Sequence, residues 1–238
     1  VKRRLLLGGA LVVVLAAVLS AGTYVLMNSR TFQVAGRVVH RVDTAGKVVA
    51  LTIDDGPTDR TPAILETLAA EHIPATFYLV GRDLAAHRDY GAQIAAAGHE
   101  LGNHSYTHRR LVFVTPATVR GEVERTDAEI ERTGYHGPVT FRPPYGKKLV
   151  ALPWYLSDHD RTTVMWDVES DSTGGASTDV IVSDTVNRAR PGSIILLHAM
   201  YQPAAAAAIP RIVAELRSRG YGFVTVSQLI AGTKPTGM

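Results

Sequence analysis

Four short segments hold the side chains with the most chemistry in this 238-residue chain: Thr52-Ile53-Asp54-Asp55-Gly56-Pro57, His104-Ser105-Tyr106-Thr107-His108, Arg142-Pro143-Pro144-Tyr145-Gly146 and Leu196-Leu197-His198. The first ends an apolar run in two adjacent carboxylates, and Gly-Pro then turns the chain away. As a turn former the pair needs no explanation, but a buried strand delivers two acids to its end at a cost that a cation or a proton-transfer role offsets. The second places His at i and i+4, which on a helical turn face the same way and can share one metal. With a strand-end carboxylate, His104 and His108 complete a two-His, one-carboxylate set that leaves coordination positions open, as a catalytic site requires. Fe(II) oxygen chemistry uses the same donor set. In the third, two prolines stiffen a loop that presents Arg142 and the amides after them. The fourth stops an apolar run at one imidazole, which alone is more often a hydrogen-bonded core residue and gains a functional reading only beside the other three segments.

The elements that must position these residues alternate. Strand-like runs occur at 47–53, 76–80, 98–101, 139–142, 162–166, 193–197 and 222–226. Helical patterns lie between them, with Thr61-Pro62 and Thr115-Pro116 each reading as a capping hydroxyl before a first-turn proline. Ile64, Leu65 and Leu68, and later Ile209, Ile212, Val213 and Leu216, mark buried helix faces. Alternating β and α predicts a parallel sheet with helices outside, either open and doubly wound or closed as a barrel, and both gather chemistry at the carboxyl ends of the strands. All four segments fall at such ends. No internal repeat and no long linker divide the body.

Composition excludes several alternatives. Hydrophobic residues make up 46% and charged residues 20%, which suits a folded core and not a disordered chain. With no cysteine there is no disulfide framework, thiolate site or cysteine nucleophile, so a metal must sit on His and carboxylates. The net charge of +3 is matched by Lys2, Arg3 and Arg4, leaving the rest neutral, and no nucleic-acid partner is expected. After those three residues, Leu5 to Met27 is free of charge. As a helix it reaches about 34 Å, enough to cross a hydrocarbon core of about 30 Å. It is longer than the apolar core of a secretory signal, so an uncleaved anchor is the expected reading, and a cleaved signal at Ser20-Ala21-Gly22 the alternative. The basic cluster favours an inside N-terminus and a body outside, although Arg30, Arg37 and Arg41 weaken the asymmetry. The expected division is residues 1–30 as basic flank and anchor and 31–238 as catalytic domain. This makes a single-pass cell-membrane protein, secreted if the segment is cleaved.

TIDDGP, HSYTH, RPPYG and LLH, in this order, resemble the motifs of the polysaccharide deacetylases, the NodB-type carbohydrate esterases of family four. The resemblance covers roughly residues 45–230. It implies a distorted (β/α) barrel of seven strands and metal-dependent removal of N-acetyl groups from amino sugars, or O-acetyl groups in some members. It implies that Asp55, His104 and His108 bind the metal, most often zinc, and that Asp54 is the general base on water activated there, paired with Arg142. The backbone N–H of Tyr145 would hold the oxyanion, and His198 would protonate the leaving amine. One motif departs from the family pattern. Where Trp-x-Val-Asp is usual, this chain has Trp166-Asp167-Val168-Glu169, then Ser170-Asp171-Ser172-Thr173 without the later Trp. Glu169 takes the position of the acid that orients His198, with Asp167 and Asp171 as alternatives. The expected substrate is a GlcNAc-containing envelope polysaccharide, peptidoglycan first, acted on by a monomer. Chitin-like oligomers, exopolysaccharide, acetylated xylan, or a silent carbohydrate-binding module are the alternatives.

Overall fold

The computed structural model describes residues 2–172 and 175–232, with side chains from residue 9 onward; Thr173, the last residue of the divergent motif, lies outside them. Its strands are β1 (Val38–Val39), β2 (Val48–Asp54), β3 (Thr76–Leu79), β4 (Glu100–Asn103), β5 (Thr163–Val164), β6 (Val168–Glu169), β7 (Ile194–Leu197) and β8 (Gly222–Phe223). All their pairings are parallel, in the order β4-β3-β2-β7-β6, with β1 on β5 and β8 on the first two residues of β2. Phe141 links β4 to β5 by bridging Asn103 on one side and Thr163 on the other. The result is a distorted barrel. Around and beyond it lie α1 (Lys2–Asn28), α2 (Thr61–Ala70), α3 (Gly81–Ala86), α4 (Arg88–Ala96), α5 (Pro116–Glu131), α6 (Ala151–Asp158), α7 (Thr178–Arg188), α8 (Pro203–Ser218) and α9 (Val226–Ala231).

Strand parity sorts the side chains into two cores. Successive residues on a strand point to opposite faces. Val49, Leu51 and Ile53 of β2, Phe77 and Leu79 of β3 and Ile195 and Leu197 of β7 pack outward with Leu68 of α2 and Ile209 and Ile212 of α8. Ala50, Tyr78, Ile194 and Leu196 point inward, with Val226 and Leu229 of α9 among them. Gly102 shares that inner face, and a Cβ there would lie 2.5 Å from the Tyr78 ring, so only glycine fits. Thr225 and Gln228 form a reciprocal capping box that starts α9, and this is why β8 ends at Phe223 instead of continuing to 226.

The expected strands differ from the observed ones where side chains compete for backbone. The stretch 139–142 shrinks to the single bridge at Phe141, flanked by prolines that donate no hydrogen bond. The stretch 162–166 ends after Val164 and pairing resumes at Val168, because Arg142 draws the carbonyls of Val164 and Met165 at 3.3 and 3.2 Å. Thr115 caps α5 as expected, accepting from Thr118 N at 3.2 Å. Thr61 does not cap α2: Arg60 occupies that position, and the Thr61 hydroxyl accepts from Thr58 N within the preceding turn.

Helix α1 is exposed from Gly9 to Gly22. In its last turns Thr23, Leu26 and Met27 form a half-buried stripe at i, i+3 and i+4 against the body. Asn28 accepts from the Lys147 ammonium and the Ser29 carbonyl from that of Lys148. Arg30 then pairs with Glu169 at 2.6 Å and stacks over Trp166.

Candidate active site

The inward parity of the strands continues past their ends and delivers the reactive side chains to one rim. Asp54 follows Ala50 and Thr52 on β2, His104 follows Glu100 and Gly102 on β4, and His198 follows Ile194 and Leu196 on β7. Asp55 would point outward by this rule. Its backbone instead enters the left-handed region at φ 73°, while its N–H still bonds to Tyr78 O, and its carboxylate turns back over the barrel.

Arg142 is the largest fully buried side chain. It is not displayed on the rim loop; it reaches down into the barrel. Its Nη1 donates to Thr52 Oγ1 at 2.7 Å and to Asp54 Oδ1 at 2.5 Å, its other nitrogens reach two carbonyls, and its guanidinium lies 4.0 Å from the centre of the Tyr78 ring. A buried permanent charge is tolerated only when its donors are met, and here they are. Burial pushes the Asp54 carboxyl above its ordinary range, and Arg142 pulls against that shift. Asp54 Oδ2 faces the His104 ring, 3.7 Å from Nε2.

Asp55, His104 and His108 place one donor atom each within 4.8 Å of one another. Asp55 Oδ1 is 3.2 Å from His108 Nε2 and 3.8 Å from His104 Nε2. Bonds of 2.0–2.2 Å at tetrahedral angles set donors about 3.4 Å apart, so the cluster is sized for a small divalent cation. His104 Nδ1 donates to Arg142 O at 2.7 Å, which leaves Nε2 with its lone pair, and burial pushes the imidazole down to about 3. The imidazole is therefore neutral, with Nε2 free to act as a donor. The two His do not sit on a helical turn, contrary to the sequence expectation. Residues 104–108 form a loop with Ser105 and His108 at positive φ. Glu122 of α5 holds it by accepting from the N–H groups of Tyr106 and Thr107 and from the Thr107 hydroxyl. Asn103 Oδ1 takes Ser105 N–H. Neither Glu122 nor Asn103 stands out in the sequence; the signal for Glu122 is only that it is an acid on the buried face of the next helix.

His198 is oriented by Asp171, not Glu169. Asp171 is fully buried, accepting from His198 Nδ1 at 3.1 Å and from its backbone N–H at 2.5 Å. Burial opposes protonation of His198, but the Asp171 bond and the field of Asp54 and Asp55 outweigh it, and push the imidazole up to about 9. Glu169 accepts instead from Trp166 Nε1 and Arg30, each at 2.6 Å, and from Ser172. Asp167 is occupied with the start of β7, at Ser193 Oγ and Ile194 N. Tyr145 sits in a tight turn at φ 59°, whose own bonds run from Gly146 N–H to Pro143 O and from Lys147 N–H to Pro144 O and leave the Tyr145 N–H unused. Its ring packs beside His108.

A family model described as polysaccharide deacetylase matches residues 41–164, more than half of the chain. The chain belongs to the polysaccharide deacetylase family. As a member it is a hydrolase acting on amide bonds, and the barrel is that of the family. A peptidoglycan-N-acetylglucosamine deacetylase of Bacillus cereus is 32% identical over 190 residues, which cover 78% of this chain and 69% of that one. A peptidoglycan-N-acetylmuramic acid deacetylase of Bacillus subtilis is 33% identical across 79% of this chain, which spans only 40% of that longer protein. The structure of a carbohydrate esterase family four pseudoenzyme from Bacillus anthracis superposes with a TM-score of 0.75 at 27% identity, covering 81% of this chain and 68% of its own. The similar structures include a pseudoenzyme, so the details of the reaction are read from the side chains of the site and not from overall likeness.

Proposed function

We propose that the protein is a metal-dependent deacetylase that hydrolyses N-acetyl groups of a peptidoglycan-type polymer. The observation that carries this is the convergence on one rim of a complete set: a three-donor cluster, a buried carboxylate clamped by Arg142, and an imidazole clamped by Asp171. A silent binding module would have no use for the last two. The relatives include deacetylases of peptidoglycan N-acetylglucosamine and N-acetylmuramic acid and two bifunctional xylanase/deacetylases, so peptidoglycan is favoured by the larger number of relatives and neither of its sugars is singled out.

In this reading Asp55, His104 and His108 hold a divalent cation, zinc by the family resemblance, and the two-nitrogen, one-oxygen donor set suits it. Such a cation, when bound, polarises the acetyl carbonyl and lowers the pKa of water. Asp54 Oδ2 takes the proton of the attacking water, with Oδ1 fixed by Arg142 so that the free oxygen points at the cluster. The Tyr145 N–H donates to the oxygen that gains charge as the acetyl carbon becomes tetrahedral. His198, protonated through its bond to Asp171, gives its proton to the sugar nitrogen as the C–N bond breaks. Acetate and an amine leave, and the Asp54 proton restores the balance. Residues 1–30 serve as anchor and 31–238 as the catalytic domain on the outer side of the membrane.

The test is acetate release from N-acetylated peptidoglycan and from chitin oligomers by the full chain in detergent, with and without chelator. Release that chelator stops, Zn²⁺ restores and His104→Ala abolishes is the expected result. A folded, zinc-loaded chain releasing no acetate from any acetylated glycan overturns the reading.

A further inference from the structure

The rim carries a second feature that the reaction does not use. Beside the Tyr145 turn lies an open groove of about 940 Å³ between α5 and α6, lined by buried Leu111 and by Phe113, Leu149, Val150 and Trp154. Three of these are exposed although apolar: Phe113 at 79%, Trp154 at 55% and Val150 at 49%. Phe113 is held outward by a backbone at φ 52°, a conformation that a bulky residue adopts only where its surroundings impose it. Arg120 and Glu124, one and two turns along α5 and both exposed, add a polar wall.

The position of the groove relative to α1 is fixed by Lys147 and Lys148. Both ammonium groups hold the end of α1, at Asn28 and Ser29. Lys148 also forms a bridge with Leu111, and the groove wall begins at the next residue, Leu149. No slack separates helix from body, since the last turn of α1 is itself half-buried against it. The charge-free run ends at Met27, so a bilayer crossed by α1 has its outer headgroup layer at the level of this junction. The exposed ring of Tyr24, one turn earlier, suits the same boundary. Two exposed arginines, Arg109 and Arg110, flank the groove segment and match the phosphates of that layer.

We propose that the groove mouth is a second membrane contact, with Phe113, Val150 and Trp154 seated in the headgroup layer of the bilayer that α1 crosses. The inference rests on α1 being a membrane anchor. Apolar and aromatic side chains are favoured there because that layer accepts rings which water and the hydrocarbon core each accept less well. The consequence is orientation. The barrel mouth is held against the membrane surface, and the glycan within reach is that lying closest to it.

The absence of cysteine allows a direct test. Single cysteines replacing Phe113, Val150, Val18 in α1 and Ser218 at the far end of α8 are spin-labelled in the full chain, one chain per nanodisc of phosphatidylcholine and phosphatidylglycerol. Collisions with oxygen and with a water-soluble nickel chelate are then compared. The expected result is that labels at 113 and 150 meet less nickel and more oxygen than the one at 218, approaching the one at 18. Labels at 113 and 150 as nickel-accessible as that at 218, with 18 reading lipid, overturn the contact and leave the anchor standing. A label at 18 that reads water removes the anchor and the contact together. Shielding that appears only with two chains per disc assigns the groove to a second copy and also overturns the proposal. Since the label removes Phe113, a second measurement keeps the groove intact: brominated lipid quenches the fluorescence of the unaltered chain, and Trp154→Phe loses that quenching while buried Trp166 remains.

Discussion

The two sides of the active-site rim each hold a carboxylate against a cation, but they are built differently. On one side Asp54 meets Arg142, a charge that does not titrate in a protein, and both side chains are buried. On the other Asp171 meets His198, whose imidazole keeps 24% of its side chain in contact with solvent and whose charge depends on pH. The base side is thus fixed and the acid side is poised. A proton acceptor needs a constant orientation and a carboxylate that stays ionised, whereas a proton donor must lose and regain its proton in every turnover.

The largest effect is expected on the fixed side. Arg142→Met removes the cation and leaves Asp54 buried without its partner, which costs about 3–5 kcal/mol of stability. Thermal or denaturant unfolding should show this, and activity should be lost with it. Asp54→Asn separates chemistry from folding. The amide can still accept from Arg142 but takes no proton, so kcat should fall by about 10²–10⁴ in the fraction that circular dichroism shows to be folded, a loss larger than the stability cost of leaving Arg142 without its counter-ion explains. An Arg142→Met chain as stable as the parent would mean that the pair does not organise the barrel interior.

Asp171→Asn tests the poised side. The Asp171 bond and field raise His198, so His198 keeps its proton through neutral pH and loses it as pH rises toward about 9. Without that carboxylate the affinity for the proton falls, and the alkaline limb of the kcat profile should move to lower pH. At pH 7 the loss should be about 10-fold or more, shrinking as the pH is lowered, because the donor is then protonated again. A uniform loss at all pH values would instead make Asp171 a purely geometric support.

The two sides also differ in how far they can be read in the sequence. Asp54 and His198 follow from strand ends, because parity carries a buried strand's inward series to the rim; Asp55 is legible only as the adjacent acid, and it is its left-handed backbone that turns it back to the rim. His104 and His108 are legible as a pair, yet for the wrong local reason: the helical spacing suggests a turn, while a loop held by Glu122 brings the rings together. The Arg142 segment reads as a rim loop, and nothing local shows that its side chain instead goes inward, since its acceptors Thr52, Val164 and Met165 lie on or just after other strands. The same long-range contacts explain why the stretch 162–166 is broken. Residues near each other in sequence were readable; partners supplied by a separate element were not.

Glu169 gives the finest test of the comparison, because the family pattern points to it and the geometry points away. It stands two residues before Asp171 and is occupied by Trp166, Ser172 and Arg30, the residue that joins α1, the proposed anchor, to the body. Its charge therefore bears on the junction, not on His198. Glu169→Gln keeps the side-chain length and can still accept from Trp166, but gives up the ion pair with Arg30, a half-exposed contact of the kind worth about 0–1 kcal/mol. Acetate release from soluble oligomers should change by less than about twofold, with the alkaline limb unmoved, since Asp171 still holds the imidazole. The measurement that decides is the pH profile of Glu169→Gln beside that of Asp171→Asn. Matching shifts would return Glu169 to the proton path and dissolve the distinction between a carboxylate that poises the acid and one that fastens the anchor.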